Sequence, residues 1–281
     1  MNALPLDKKT AILALLVEGN SIRSIERITN VHRDTIMRLL NEAGTKAQDI
    51  LDSEMMFLES KRLQVDEIWT FVAKKQRMLT QEEREGIELG DQYVFIALDP
   101  DTKLVPAFRV GKRTSEMALS FMSELRTRIQ SRFQLSTDSF PGYLDAVDRV
   151  YGEDVDYAQI HKQYTDEPNR GEHRYSPGCI VRITIKPLLG NPVRRHISTS
   201  LVERQNLTIR MQMRRFTRLT NGFSKKLGNL KSALALHFYW YNFIRIHQSI
   251  RTTPAMEAGI TNHIWNWENL LCPETISKLA A

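Results

Sequence analysis

Val65-Asp66-Glu67-Ile68-Trp69-Thr70-Phe71-Val72 decides how this chain of 281 residues is read. The run is rich in β-branched and aromatic side chains and reads as a strand over Leu63 to Ala73. A carboxylate inside so apolar a segment is costly unless it is paired or bound to a metal. On a regular strand Asp66 and Glu67 point to opposite faces, so only one of them enters a given site. Asp66 is the one favoured.

After this strand, Gln92 to Leu98 is a second strand, and Leu104 to Val110 a third after the Asp99-Pro100-Asp101 turn. Ser115 to Gln130 has the period of an amphipathic helix. Phe133 to Thr137 then reads as a strand, Tyr143 to Tyr151 as a helix and Val155 to His161 as a strand. This succession is that of an α/β nuclease core. Between Tyr164 and Ser200 lies a polar insertion with one strand, Cys179 to Ile185, and a turn at Gly190-Asn191-Pro192. The aromatic side chains Trp69, Phe71 and Phe238 to Tyr241 are read as core.

Two further carboxylates stand where strand tips and helices present functional groups. Asp138 ends the strand Leu135-Ser136-Thr137, just before Phe140-Pro141-Gly142, and Glu203 lies on a helix starting near Ser200. Phosphoryl transfer by two divalent cations, set roughly 3.5–4 Å apart, needs several carboxylates to bridge and flank them. Asp66, Asp138 and Glu203 are therefore expected as metal ligands and catalytic residues. Hard oxygen donors suit two Mg²⁺ ions, with Mn²⁺ as substitute.

Charge supports a polyanionic partner. The net charge is +6, but residues 173–256 hold 15 Lys and Arg against a single acidic residue, Glu203. Arg204, Arg210, Arg214, Arg215 and Arg218 are expected to hold DNA phosphates, with Arg210 and Arg214 on about the same helix side as Glu203. Val202, Ile209, Met213 and Phe216 share another side and should pack inward. Cys179 and Cys272 have no disulfide or zinc-ribbon spacing. The apolar run Ala11 to Val17 is too short to span a bilayer. A cytoplasmic, nucleoid-associated protein with no membrane role is expected.

Residues 1–45 read as three helices: Leu6 to Glu18, Ser21 to Arg27 and His32 to Asn41, with an end near Gly44 and a helical linker over 46–62. Apolar positions 22, 25, 28, 31, 36, 39 and 40 would face one small core, the pattern of a helix-turn-helix. Its third helix would expose Arg33, Thr35 and Arg38 to double-stranded DNA.

Three segments then carry a resemblance: the Val65 to Val72 strand, Ser136-Thr137-Asp138-Ser139-Phe140, and Leu201-Val202-Glu203-Arg204-Gln205-Asn206. They resemble the three motifs of DDE transposases of the insertion sequence one family. Tyr241 to Ile250 with Thr253-Pro254-Ala255 resembles that family's C-terminal segment. The resemblance implies a ribonuclease-H-like α/β core over 63–260, followed by a tail at 261–281. It further implies an all-α N-terminal helix-turn-helix recognising terminal inverted repeats, two Mg²⁺ ions, and joining of a 3′-hydroxyl to target DNA. A homo-oligomer, at least a dimer, would bring two ends together. The cysteine zinc motif that often precedes the helix-turn-helix in this family is absent from the sequence. The alternatives are a domesticated, non-catalytic DNA-binding regulator and a nuclease of the same fold without strand transfer.

Overall fold

The computed structural model describes residues 4–165, 178–217 and 220–272. Three helices open it: α1 (Leu6–Val17), α2 (Ile22–Thr29) and α3 (Arg33–Glu54). Ser21 caps α2 by accepting the Ser24 N–H at 3.1 Å, and Asn30 ends it in the left-handed region at φ 55°. Ile25, Val31, Ile36, Leu39 and Leu40 are buried as their spacing requires. Ile28 is an exception at 61% exposed, because two successive three-residue steps from Ile22 carry it about 120° round the helix.

The expected helix end near Gly44 is absent. α3 runs unbroken to Glu54 and absorbs much of the expected linker. Gly44 serves a close crossing instead, since a Cβ there would lie 2.5 Å from the Ser232 Cβ on α8 (Leu227–Tyr239). The buried Arg128 donates to the Leu51 carbonyl at 3.1 Å, near the end of α3, where the same oxygen also accepts the Met55 N–H at 3.1 Å. The apolar side chains of the three helices join those of the sheet in one continuous core.

That sheet has six strands: β1 (Arg62–Val72), β2 (Gly90–Leu98), β3 (Ala107–Gly111), β4 (Phe133–Asp138), β5 (Val155–Tyr164) and β6 (Ile180–Leu189). A short helix, α4 (Gln81–Glu85), sits between the first two strands. The order is β3-β2-β1-β4-β5-β6. β1, β4 and β5 are parallel, while β2, β3 and β6 each run antiparallel to a neighbour. This is the mixed α/β core expected, with the insertion's strand added at one edge. β3 begins only at Ala107 because Asn242 occupies the Val105 backbone on both sides, accepting its N–H at 3.1 Å and donating to its carbonyl at 3.0 Å.

Helices cover both faces. Phe95 of β2 meets Phe121 of α5 (Ser115–Arg128) and Tyr143 of α6 (Pro141–Tyr151). On the opposite face Phe108 of β3 packs on Phe238 of α8 at 4.6 Å. α7 (Ser200–Gln212) lies on that side too, its first turn held by the buried Gln64 of β1, which accepts the Leu201 and Val202 N–H groups at 2.9 and 3.1 Å. α8 continues through a π-helical turn, Trp240–Ile244, and two short helices follow: α9 (Pro254–Glu257) and α10 (Trp267–Leu271). Phe238 to Tyr241 are buried, as read from the sequence. No helix among the described residues is long and apolar enough to cross a membrane.

Candidate active site

A notch in the sheet creates the site. β1 pairs with β2 out to Val72, but its pairing with β4 stops at Val65 and Thr137. β4 itself ends at Asp138, while β5 continues to Tyr164. Beyond the carboxyl end of β4, one edge of β1 is thus open, and side chains from both faces can turn into the gap. Such a crevice at the carboxyl ends of parallel strands is where open α/β sheets bind ligands.

Asp66, Glu67 and Asp138 meet there, each offering a carboxylate oxygen within 4.8 Å of the others. The expectation that only one of Asp66 and Glu67 would enter the site is corrected by this arrangement. Alternation does send them to opposite faces. With no strand beside them, however, both still reach Asp138.

Each carboxylate has its own support. Asp66 Oδ2 accepts the Asn206 Nδ2–H at 2.8 Å from α7. Asp138 Oδ1 accepts the Phe140 N–H at 2.9 Å. The Glu67 side chain is only 2% exposed and lies beside the buried Tyr143 hydroxyl. Arg113 bridges the faces, 3.5 Å from both Glu67 and Asp138, with its guanidinium 4.2 Å from the Phe140 ring centroid. His161, on the far side of the notch, has its pKa lowered, first by burial and then by the nearby Lys186 charge.

Glu203 stands beside this group rather than within it. Its Oε1 accepts the Thr199 hydroxyl at 2.6 Å and forms an ion pair with Lys162 of β5. Its charge still acts on Asp66. Sequence reasoning weighed Glu67 and set it aside, and it missed Arg113, Lys162 and Asn206 as members of this neighbourhood. Only Asn206 carried a usable signal, lying three residues after Glu203 and so near it on one helix face.

The clustering leaves a mark on protonation. Burial, then the Asp138 charge, pushes Asp66 up to about 7, and the same two causes push Glu67 up to about 8. Unfolded, these groups ionise near 3.8 and 4.5, so the folded metal-free protein binds the extra protons. The resulting stability is full below those values and is lost as pH rises through about 7 to 8. Metal-free protein should therefore melt lower at pH 8 than at pH 5. Asp66→Asn or Glu67→Gln should raise the pH 8 midpoint by several degrees and flatten the trend. Scanning calorimetry in chelator checks this; variants that melt below the parent at pH 8 would show that the carboxylates do not strain one another.

Three oxygen donors that repel one another, one of them almost wholly buried, form the donor set a hard divalent cation requires. The residues present fit such an ion.

The expected DNA contacts divide. Arg33 and Arg38 are exposed on α3, with Arg38 3.9 Å from Glu42, and Thr35 is half-buried. Arg204 is exposed on α7, and Arg210 lies 3.5 Å from the Phe216 carbonyl. Val202, Ile209, Met213 and Phe216 are buried as expected. Arg214 is exposed but past the end of α7, so it does not continue that helix's face. Arg215 points inward: it donates to the Ser224 hydroxyl at 3.0 Å, and burial pushes its pKa down to about 10. It is half-buried overall and also lines the cavity beside Trp69, Phe71 and Phe223. Arg218 lies outside the described residues.

No family model matches the sequence, and no curated protein does. Among solved structures, the Mos1 transposase paired-end complex with left transposon end is similar at 12% identity, covering 56% of this chain and 60% of that one, with a TM-score of 0.22. The Mos1 Strand Transfer Complex is similar at 11% identity over 84% of this chain and 78% of the other, with a TM-score of 0.25. The chain thus spans about 60% of the first of these. A likeness of this degree assigns no residue.

Proposed function

We propose that the chain is a metal-dependent DDE transposase of the insertion sequence one type, cleaving transposon ends and joining their 3′-hydroxyls to target DNA. The convergence of Asp66, Glu67 and Asp138 at the open end of β4, beside the helix that carries Glu203, is the observation that supports this most. Asp66, Glu67 and Asp138 would hold Mg²⁺ or Mn²⁺, and Glu203 completes a site for two ions. Bound there, the metal supplies activation of the attacking oxygen and charge stabilisation of the leaving oxygen.

The chain's own groups do the rest. Gln64 fixes the first turn of α7 and so the height of Glu203 above Asp66. Asn206 orients Asp66, and Arg113 offsets charge between Glu67 and Asp138. Residues 1–45 form the helix-turn-helix that reads terminal inverted repeats, with Arg33, Thr35 and Arg38 turned to the major groove. Arg204, Arg210 and Arg214 hold the DNA backbone, which adds affinity without sequence selectivity. At least two copies act together, one for each end.

The test incubates the protein with a plasmid carrying the element's own ends. Cleaved and joined products should form with Mg²⁺ or Mn²⁺ and vanish with chelator. Cleavage that persists in chelator would overturn the metal site, and cleavage without joining would reduce the activity to that of a nuclease.

A further inference from the structure

Beyond the carboxylates, β1 carries two more side chains on the face of Glu67: Trp69 and Phe71. The sequence reads both as core, yet each keeps part of its surface open, as does Phe223. The three rings stand in series, with Trp69 to Phe71 at 5.7 Å and Phe71 to Phe223 at 4.5 Å between centroids. They line a cavity of about 640 Å³.

The platform is held rigidly. Ser224 pairs with the end of β1 through a bridge to Val72, and its carbonyl accepts the Ala73 N–H at 2.9 Å. Phe223 is thereby fixed against Phe71. Cations surround the rings: Lys75 and Arg210 line the cavity, and Lys225 Nζ lies 3.1 Å from the Phe223 centroid. Trp69 follows Glu67 by two strand positions, a rise of about 7 Å. An occupant of this cavity would therefore lie next to whatever reacts at the carboxylates.

We infer that this cavity is a binding site for an unpaired nucleobase, stacked on Trp69 and Phe71 while Lys75 and Arg210 hold its phosphates. The inference rests on the DNA-processing reading and adds a subsite to it. Every base presents a π-face to an aromatic platform, and lysine or arginine beside it suits the attached phosphate. Apolar side chains of a protein partner would not call for the cations.

The experiment needs no knowledge of the end sequence. Three short duplexes are titrated in the presence of chelator and followed by fluorescence anisotropy: a blunt duplex, the same duplex with a short thymine overhang, and one whose overhang is abasic. The full-length protein should bind the thymine overhang about tenfold more tightly than the other two. Trp69→Ala should remove that preference while leaving blunt-duplex binding unchanged, and Trp69→Phe should keep it. Phe223→Ala, farther from the carboxylates, should weaken the preference in the same direction.

Equal affinity of the parent protein for thymine and abasic overhangs would overturn the inference, as would a preference untouched by Trp69→Ala. Enclosure of these rings by a second copy of the chain would appear as one of those results. Failure to bind any of the three duplexes would overturn the DNA reading itself, and this subsite with it.

Discussion

Asp66→Asn and Asp138→Asn should each lose DNA cleavage by about three orders of magnitude, because several kcal/mol of transition-state charge stabilisation would depend on holding the metal. Each amide keeps the shape of the side chain and removes one charge from a group of three. Binding to DNA should be nearly unchanged, since the proposed backbone contacts are cations and not these carboxylates. Glu67→Gln should fall as well, because the notch lets both neighbours on β1 reach Asp138. On a strand flanked at both edges, only one of the two would matter. Glu203→Gln should also lose cleavage, because Glu203, now paired with Lys162, would contribute charge to the site when the metal is bound.

Unfolding cannot imitate this pattern, as removing a mutually repelling carboxylate raises stability at pH 8. Single-turnover cleavage and anisotropy on the same preparations separate the effects. Asp138→Asn cleaving at the parent rate would remove the proposed site.

What the sequence made legible follows the range of the interactions involved. β1 and β4 were readable because apolar alternation and β-branched content are local, and Asp66 and Asp138 stood out as charges where such runs tolerate none. The covered side of α7 was readable for the same reason: Val202, Ile209 and Met213 recur at helical spacing and are buried. Glu67 was misjudged because its role depends on where β4 stops beside β1, a pairing between residues some seventy positions apart. Arg113 and Lys162 come from other strands and loops and carry no local mark. Composition likewise cannot tell a cation already engaged within the protein from a freely solvated one: Arg215 adds to the basic count of its region yet turns toward Ser224 and Met37. Trp69 and Phe71 show the converse, aromatic side chains whose strand position suggests core while the fold leaves their faces partly open.

Gly44 tests the way tertiary packing overrides a local signal. A glycine after a helical run reads as a helix end, and in an exposed helix interior alanine would be better by roughly 1 kcal/mol. Here α3 passes through Gly44, and an added Cβ would meet the Ser232 carbonyl oxygen at 2.5 Å and its Cα at 2.6 Å. Both are backbone atoms of α8, which no change of rotamer can move aside. Overpacking of this kind costs about 1–3 kcal/mol and sometimes more, so it outweighs the gain in propensity. Gly44→Ala should lower the melting temperature by several degrees, and Gly44→Val, bulkier and β-branched, should lower it further.

The consequence reaches the DNA-binding assignment. Deleting residues 1–45 would cut α3 in mid-course and uncover α8, so the remainder should aggregate rather than survive as a catalytic core. Gly44→Ala is the gentler probe: by forcing α3 off α8 it should loosen the N-terminal helices from the sheet and weaken discrimination between end DNA and random DNA more than total DNA affinity. A Gly44→Ala protein that melts above the parent would mean the two helices do not cross this closely. The three N-terminal helices would then be a separable unit, as their sequence first suggests.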